Sequence, residues 1–212
     1  MATRIAFFAT KDEVESVFNL DTKKEIIFEA NYNISPGQQI PVIFAEENVE
    51  SLNIKRVRWG SEDNGKTEKI TIHSDDLDGF TKNKKTERCI IPLSGFFVWK
   101  NQQELDQPFF VRMLNNSVMV VAGIFSKSND EEFVTIVTTD SNPLIQPMSE
   151  YMPLLLDKVT AMQWLDSGSN PEHVLESAGN LFMLTDLSVL RVSKDVNDPK
   201  NNNAELIQPI PK

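Results

Sequence analysis

Few side chains in this 212-residue sequence have the type or spacing to carry chemistry. Cys89 is the one cysteine. It stands in an apolar run, Cys89-Ile90-Ile91-Pro92, and reads as a small buried hydrophobe rather than a nucleophile. His73 and His173 are the two histidines, too few for a His-based zinc centre. His73 lies in a polar stretch and reads as a surface residue. Glu150, beside a turn, reads as a solvated acid. No P-loop, GxGxxG, HExxH or GxSxG string occurs, which removes support for nucleotide hydrolysis, Rossmann cofactor use, zinc proteolysis and the hydrolase serine elbow. No cofactor and no metal are expected.

Composition narrows the classes further. Acidic residues outnumber basic ones by 31 to 21, a formal net charge of −10. Such a balance argues against broad, non-specific binding to nucleic acid, which needs clustered Lys and Arg, yet it leaves room for a local basic groove. Apolar residues at 40% and charged residues at 25% describe a globular chain rather than a disordered one. No apolar run approaches the ~18 residues of a membrane span. The start, MATRIAFF, lacks the pattern of a secretory signal, and a lone cysteine forms no internal disulfide. The expectation is a cytoplasmic, non-redox monomer without membrane contact.

The elements that would position these residues are mostly strands. Arg4 to Phe8 reads as an N-terminal strand, followed by a Thr10-x-x-Glu13 capping box and a helix carrying Val14, Val17 and Phe18. Glu25 to Phe28, Ile40 to Ala45 and residues 54–59 read as strands, with a bend at Pro36-Gly37. Residues 61–87 are polar and read as one long loop. Strands are then expected at Cys89 to Pro92, Phe96 to Lys100, Pro108 to Met113, Val118 to Phe125 and Phe133 to Thr139. Asn115-Asn116 and Asn129-Asp130 read as hairpin turns between them. Helices are expected at Val159 to Leu165 and, after an N1 proline at Pro171, at Glu172 to Ala178. Val189 to Ser193 reads as a last strand and 194–212 as a polar tail. Together these make one α+β domain over 1–212, dominated by mixed and antiparallel sheet with a few short helices.

Four strings in order carry a family likeness. They are Tyr32-Asn33-Ile34-Ser35-Pro36-Gly37-Gln38; Arg58-Trp59-Gly60; Arg88-Cys89-Ile90-Ile91-Pro92 running to Gly95-Phe96-Phe97-Val98-Trp99-Lys100; and Met148-Ser149-Glu150-Tyr151-Met152-Pro153. With Pro108-Phe109-Phe110, Ala122-Gly123-Ile124-Phe125, Thr138-Thr139 and the closing Leu206-Ile207-Gln208-Pro209, the chain resembles the SRAP (SOS response-associated peptidase) family over essentially its whole length. The resemblance implies a barrel-like fold. It also implies a family role in the DNA-damage (SOS) response, the protection of abasic sites in single-stranded DNA by covalent attachment. Family members start Met-Cys-Gly-Arg, and the exposed cysteine's amine and thiol close a thiazolidine ring on the sugar aldehyde.

The same resemblance marks five departures. Ala2 stands where the cysteine would be, Val98 replaces the acid/base glutamate, and Ser149 replaces the histidine. Thr71, in Thr71-Ile72-His73-Ser74-Asp75, falls on the family's substrate-positioning string, and Tyr151 takes the place of an arginine. Loss of a proton-transfer group alone costs ~10²–10⁴-fold. The expectation is therefore a catalytically degenerate pseudoenzyme acting as a binding or regulatory module. The alternative is recognition of abasic or single-stranded DNA, with weak Schiff-base chemistry from the Ala2 amine once Met1 is removed. In either case the resemblance implies a cleft lined by Arg4, Asn33, Trp59, His73, Arg88, Trp99, Glu150 and Tyr151. Arg4, Arg88 and the tryptophans would favour single-stranded DNA, whereas Ser149, Glu150, Tyr151, Thr71 and His73 would favour a neutral or cationic small ligand or protein. Trp59 and Trp99 read equally well as core aromatics, and Asn33 as a turn-bonding residue.

Overall fold

The structure is a computed structural model and describes residues 4–18, 20, 28–46, 49, 51–77, 86–100, 107–128, 131–179 and 186–211. Ala2 lies outside the described residues, as do residues 25–27 of the strand expected at Glu25 to Phe28 and the turn expected at Asn129-Asp130. Strand β1 (Ile5–Phe7) leads into helix α1 (Lys11–Phe18). The capping box forms as read: the Thr10 N–H donates to Glu13 Oε2 at 2.7 Å, and the Glu13 N–H donates to Thr10 Oγ1 at 3.3 Å. Val14 and Phe18 are then buried one helical turn apart.

The larger sheet is a closed ring. Strands β3 (Gln39–Ala45), β4 (Leu52–Trp59), β8 (Thr86–Leu93), β11 (Met119–Ser128) and β12 (Glu131–Asp140) pair in the order β11-β8-β3-β4-β12, and β12 returns to β11. The β4–β12 contact is parallel, and the other pairings of the ring are antiparallel. Beyond the ring, β12 carries β7 (Thr71–His73) in parallel and β13 (Tyr151–Pro153) antiparallel. The second sheet runs β14-β10-β9-β1-β2, built from β2 (Asn31–Ile34), β9 (Gly95–Lys100), β10 (Gln107–Met113) and β14 (Leu187–Arg191). Closure of the ring removes edges that an open sheet would expose. The expected sheet-dominated α+β class holds.

Two local readings change. Asn115-Asn116 is not a hairpin turn, because β10 and β11 belong to different sheets and the turn carries the chain between them. The polar stretch from Ser61 is not one loop: it holds the hairpin β5 (Ser61–Asp63) and β6 (Lys66–Glu68), then β7 and a 3-10 turn at Ser74–Asp76. Asn64 (φ 48°) and Gly65 (φ 76°) supply the left-handed pair that a tight hairpin turn needs. The hairpin is exposed along most of its length, so no apolar alternation announces it.

Helix α2 (Lys158–Leu165) is capped by Asp157, whose carboxylate accepts the Thr160 N–H at 2.8 Å, and α3 (Pro171–Gly179) follows it. Trp164 of α2 is fully buried and donates its indole N–H to the Cys89 carbonyl at 3.0 Å, docking the helix on the ring. The main core fills the ring. A smaller cluster of Ala6, Phe97, Phe110, Val192, Val196, Leu206 and Ile207 lies on the second sheet. The last three come from the tail, which packs through 3-10 turns at Lys194–Asn197 and Ala204–Ile207.

Candidate functional site

The N-terminal strand sets one side of the site. Antiparallel pairing puts Ile5 opposite Phe96 and Ala6 opposite Gly95, and the Phe97 N–H donates to the Arg4 carbonyl at 3.0 Å. Side chains of β9 alternate, so Phe96 and Val98 join the main core while Phe97 joins the smaller cluster. Val98 is 1% exposed. An isopropyl group enclosed there neither gives nor takes a proton.

A second group gathers where β7 and β13 flank the end of β12. Thr138 pairs with both His73 and Pro153, and Asp140 pairs with Tyr151. The His73 and Tyr151 rings meet edge-on, with centroids 5.0 Å apart. His73 Nδ1 accepts the Asp75 N–H at 3.3 Å and lies 3.6 Å from Asp75 Oδ2, and its Nε2 is 3.5 Å from Asp140 Oδ1. The Glu150 carboxylate, more than any other cause, holds the Tyr151 phenol above its ordinary pKa, and Asp140 and Asp76 push the same way. Ser149 is buried and donates its hydroxyl to the Tyr151 carbonyl at 2.7 Å. Thr71 sits two residues before His73 on the same strand, half-buried, opposite Ile136. This corner joins a histidine and a tyrosine to four carboxylates.

The other residues expected in one cleft are dispersed. Trp59 is fully buried in the main core, with its indole N–H on the Ile70 carbonyl at 2.8 Å, so it offers no face to a base. Asn33 is 1% exposed, and its amide nitrogen donates to the Val196, Asp198 and Asn201 carbonyls at 3.0–3.1 Å. Trp99, half-buried, donates its indole N–H to Asn197 Oδ1 at 2.8 Å. Both therefore hold the tail. Arg88 lies on β8 and donates to the carbonyls of Asp166 and Ser169 in the turn between α2 and α3. Burial lowers its guanidinium pKa, and the nearby Asp166 carboxylate partly offsets this. Asp140 and Asp76 escaped the sequence reading, because only the pairing of β12 with β13 and β7 brings them to His73 and Tyr151.

Cys89 is fully buried, and desolvation drives its thiol pKa far up. Among the described residues, no group of three or more His, Cys, Asp or Glu side chains could hold a metal ion. None of the described helices is long and apolar enough to cross a membrane.

Fold and site together define a class: a closed β-ring with a second sheet that carries the N-terminal strand, and an acidic His-Tyr corner at the end of its central strand. The SOS response associated peptidase (SRAP) family matches residues 1–199, and the chain belongs to that family. Its relatives include the abasic site processing protein YoqW of Bacillus subtilis, 27% identical with 98% of this chain and 99% of that protein covered. The abasic site processing protein YedK of Escherichia coli is 25% identical, with 99% and 100% covered. A solved structure of a Bacteroides thetaiotaomicron protein superposes with a TM-score of 0.80 at 18% identity, covering 98% of this chain and 99% of that one.

Proposed function

We propose that this chain is a non-crosslinking SRAP-family protein that acts in the cytoplasm as a monomeric binding module. One observation carries the reading: the Val98 side chain, at the position where the family resemblance would put an acid, is enclosed in the main core. The absence of an accessible thiol supports it, since Cys89 is the one cysteine and is fully buried. A covalent bond that cannot form is not rescued by the remaining binding contacts. The carboxylates of Asp75, Asp76, Asp140 and Glu150 around His73 and Tyr151 suit a neutral or cationic partner better than a phosphate chain.

A second reading keeps the substrate of the relatives. Full-length similarity to proteins named for abasic site processing favours recognition of abasic single-stranded DNA, with a reversible imine at the Ala2 amine. One experiment separates the two. The protein is incubated with a single-stranded oligonucleotide bearing one abasic site, with and without borohydride, and run on a denaturing gel. The first reading expects no adduct in either lane. An adduct only in the reduced lane supports the imine, and a stable adduct without reductant overturns the loss of crosslinking chemistry.

A further inference from the structure

A cavity of about 680 Å³ opens between the ring and the two helices. That size lies within the ~300–1,000 Å³ of small-molecule sites. Its lining comes from β8, β11, the end of β3 with the segment after it, and the turn between α2 and α3; β1, β7, β9 and β13 contribute nothing. Val49, Ile124 and Leu165 give it apolar surface, with the last two buried in the main core. Among the described residues of its wall Arg88 is the one cation and Glu46 and Glu87 are carboxylates, with Asp166 at the turn.

Arg88 is anchored on both sides. Its guanidinium donates to the main-chain carbonyls of Asp166 and Ser169, and its guanidinium carbon lies 5.6 Å from the centre of the Trp164 ring. A guanidinium has five N–H donors, so this anchoring leaves donors for a ligand. The Asp166 carboxylate accepts the Gly168 N–H at 2.9 Å and the Ser169 hydroxyl at 3.1 Å, and its charge supports the Arg88 guanidinium without a direct ion pair. Glu46 accepts the Ser51 hydroxyl at 3.1 Å and has no cationic partner among the described residues, whereas the Glu87 carboxylate, after Glu132, faces Lys127 closely enough to raise that ammonium's pKa.

We infer that this cavity binds a small zwitterion with an apolar body, of the kind an apolar dipeptide presents. Among the described lining residues a plain anion would meet one arginine and three carboxylates, and like charges brought together out of water are costly. A plain amine would leave the pre-positioned Arg88 donors unpaired on closure of the site. A molecule carrying both ends answers both groups: its carboxylate takes Arg88, its ammonium takes Glu46, and its side chains cover Val49, Ile124 and Leu165. The site is independent of the His73–Tyr151 corner and of any chemistry on DNA.

The probe is L-leucyl-L-leucine, titrated calorimetrically into the full chain and compared with its N-acetylated and C-amidated forms. The site predicts saturable binding with a raised melting temperature. Each capped form should bind at least ~10-fold more weakly, because it leaves one charged group of the cavity unpaired. Glu46→Gln should weaken the parent dipeptide while leaving the N-acetylated form unchanged, and Arg88→Met should do the converse with the C-amidated form. Arg88 also anchors the turn, so if that variant fails to fold the capped ligands on the unaltered protein decide. Absence of saturable binding up to ~10 mM, or equal binding of parent and capped forms, overturns the assignment.

Discussion

Several single residues whose types suit a binding site anchor distant parts of this chain, as Asn33 and Trp99 do for the tail. Glu132 shows how a surface charge contributes here. It accepts from Lys55 Nζ at 2.8 Å and from Lys127 Nζ at 3.0 Å, and these two ammonium groups lower its pKa. A carboxylate whose folded pKa is depressed adds stability above its unfolded value and loses it as the pH falls through the folded one. The side chain is 43% exposed, so solvent screens the pair and Glu132→Gln should cost no more than ~1 kcal/mol at pH 7. Urea titrations of both proteins over an acid series should show that difference vanish below the lowered folded pKa; a gap that persists there would mean the contribution is not ionic. At this scale the sequence was legible for Cys89, because Ile and Pro neighbours already imply burial. Asn33 was less so. Its neighbours are turn-forming, and nothing local says that its amide reaches carbonyls more than 160 residues away.

Elements were legible wherever a strand buries one or two full faces. Residues from Cys89 to Lys100 announce themselves by apolar density, and so do those from Phe133 to Thr139. What density cannot say is that Ser94 is a corner between sheets. Its N–H donates to the Ala6 carbonyl at 2.9 Å, and its hydroxyl accepts the Phe8 N–H at 2.8 Å, pinning β1 where β8 ends and β9 begins. Gly95 completes the corner. A methyl group there would stand 2.3 Å from the Phe110 ring and 2.5 Å from the Val111 carbonyl oxygen. Gly95→Ala should therefore destabilise the fold by ~1–3 kcal/mol or more, since one of the two obstructing atoms is backbone and cannot rotate away. Equilibrium denaturation measures this directly, and an unchanged midpoint would show that β10 moves freely relative to β9.

For the whole molecule, the tail is the least expected contributor. Val196, Leu206 and Ile207 each remove apolar surface from water, and full burial of such side chains is worth ~1.5–3 kcal/mol apiece. Truncation after Ser193 should leave Phe97 and Phe110 under-covered, lower the melting temperature and raise binding of a hydrophobic dye. A truncated protein that melts with the parent would show that the second sheet stands without its cover. The amino-acid sequence by itself determined the sheet-rich α+β class, the capped first helix and the family likeness, because hydrophobic period, turn chemistry and side-chain identity are local properties. Only the tertiary structure decided that Trp59 faces the core, that Asn33 and Trp99 bind the tail, that Arg88 serves the helix turn, and that Asp140 joins His73 and Tyr151. Those facts depend on which strands pair and in what register, and contacts between residues distant along the chain exist only once the ring has closed.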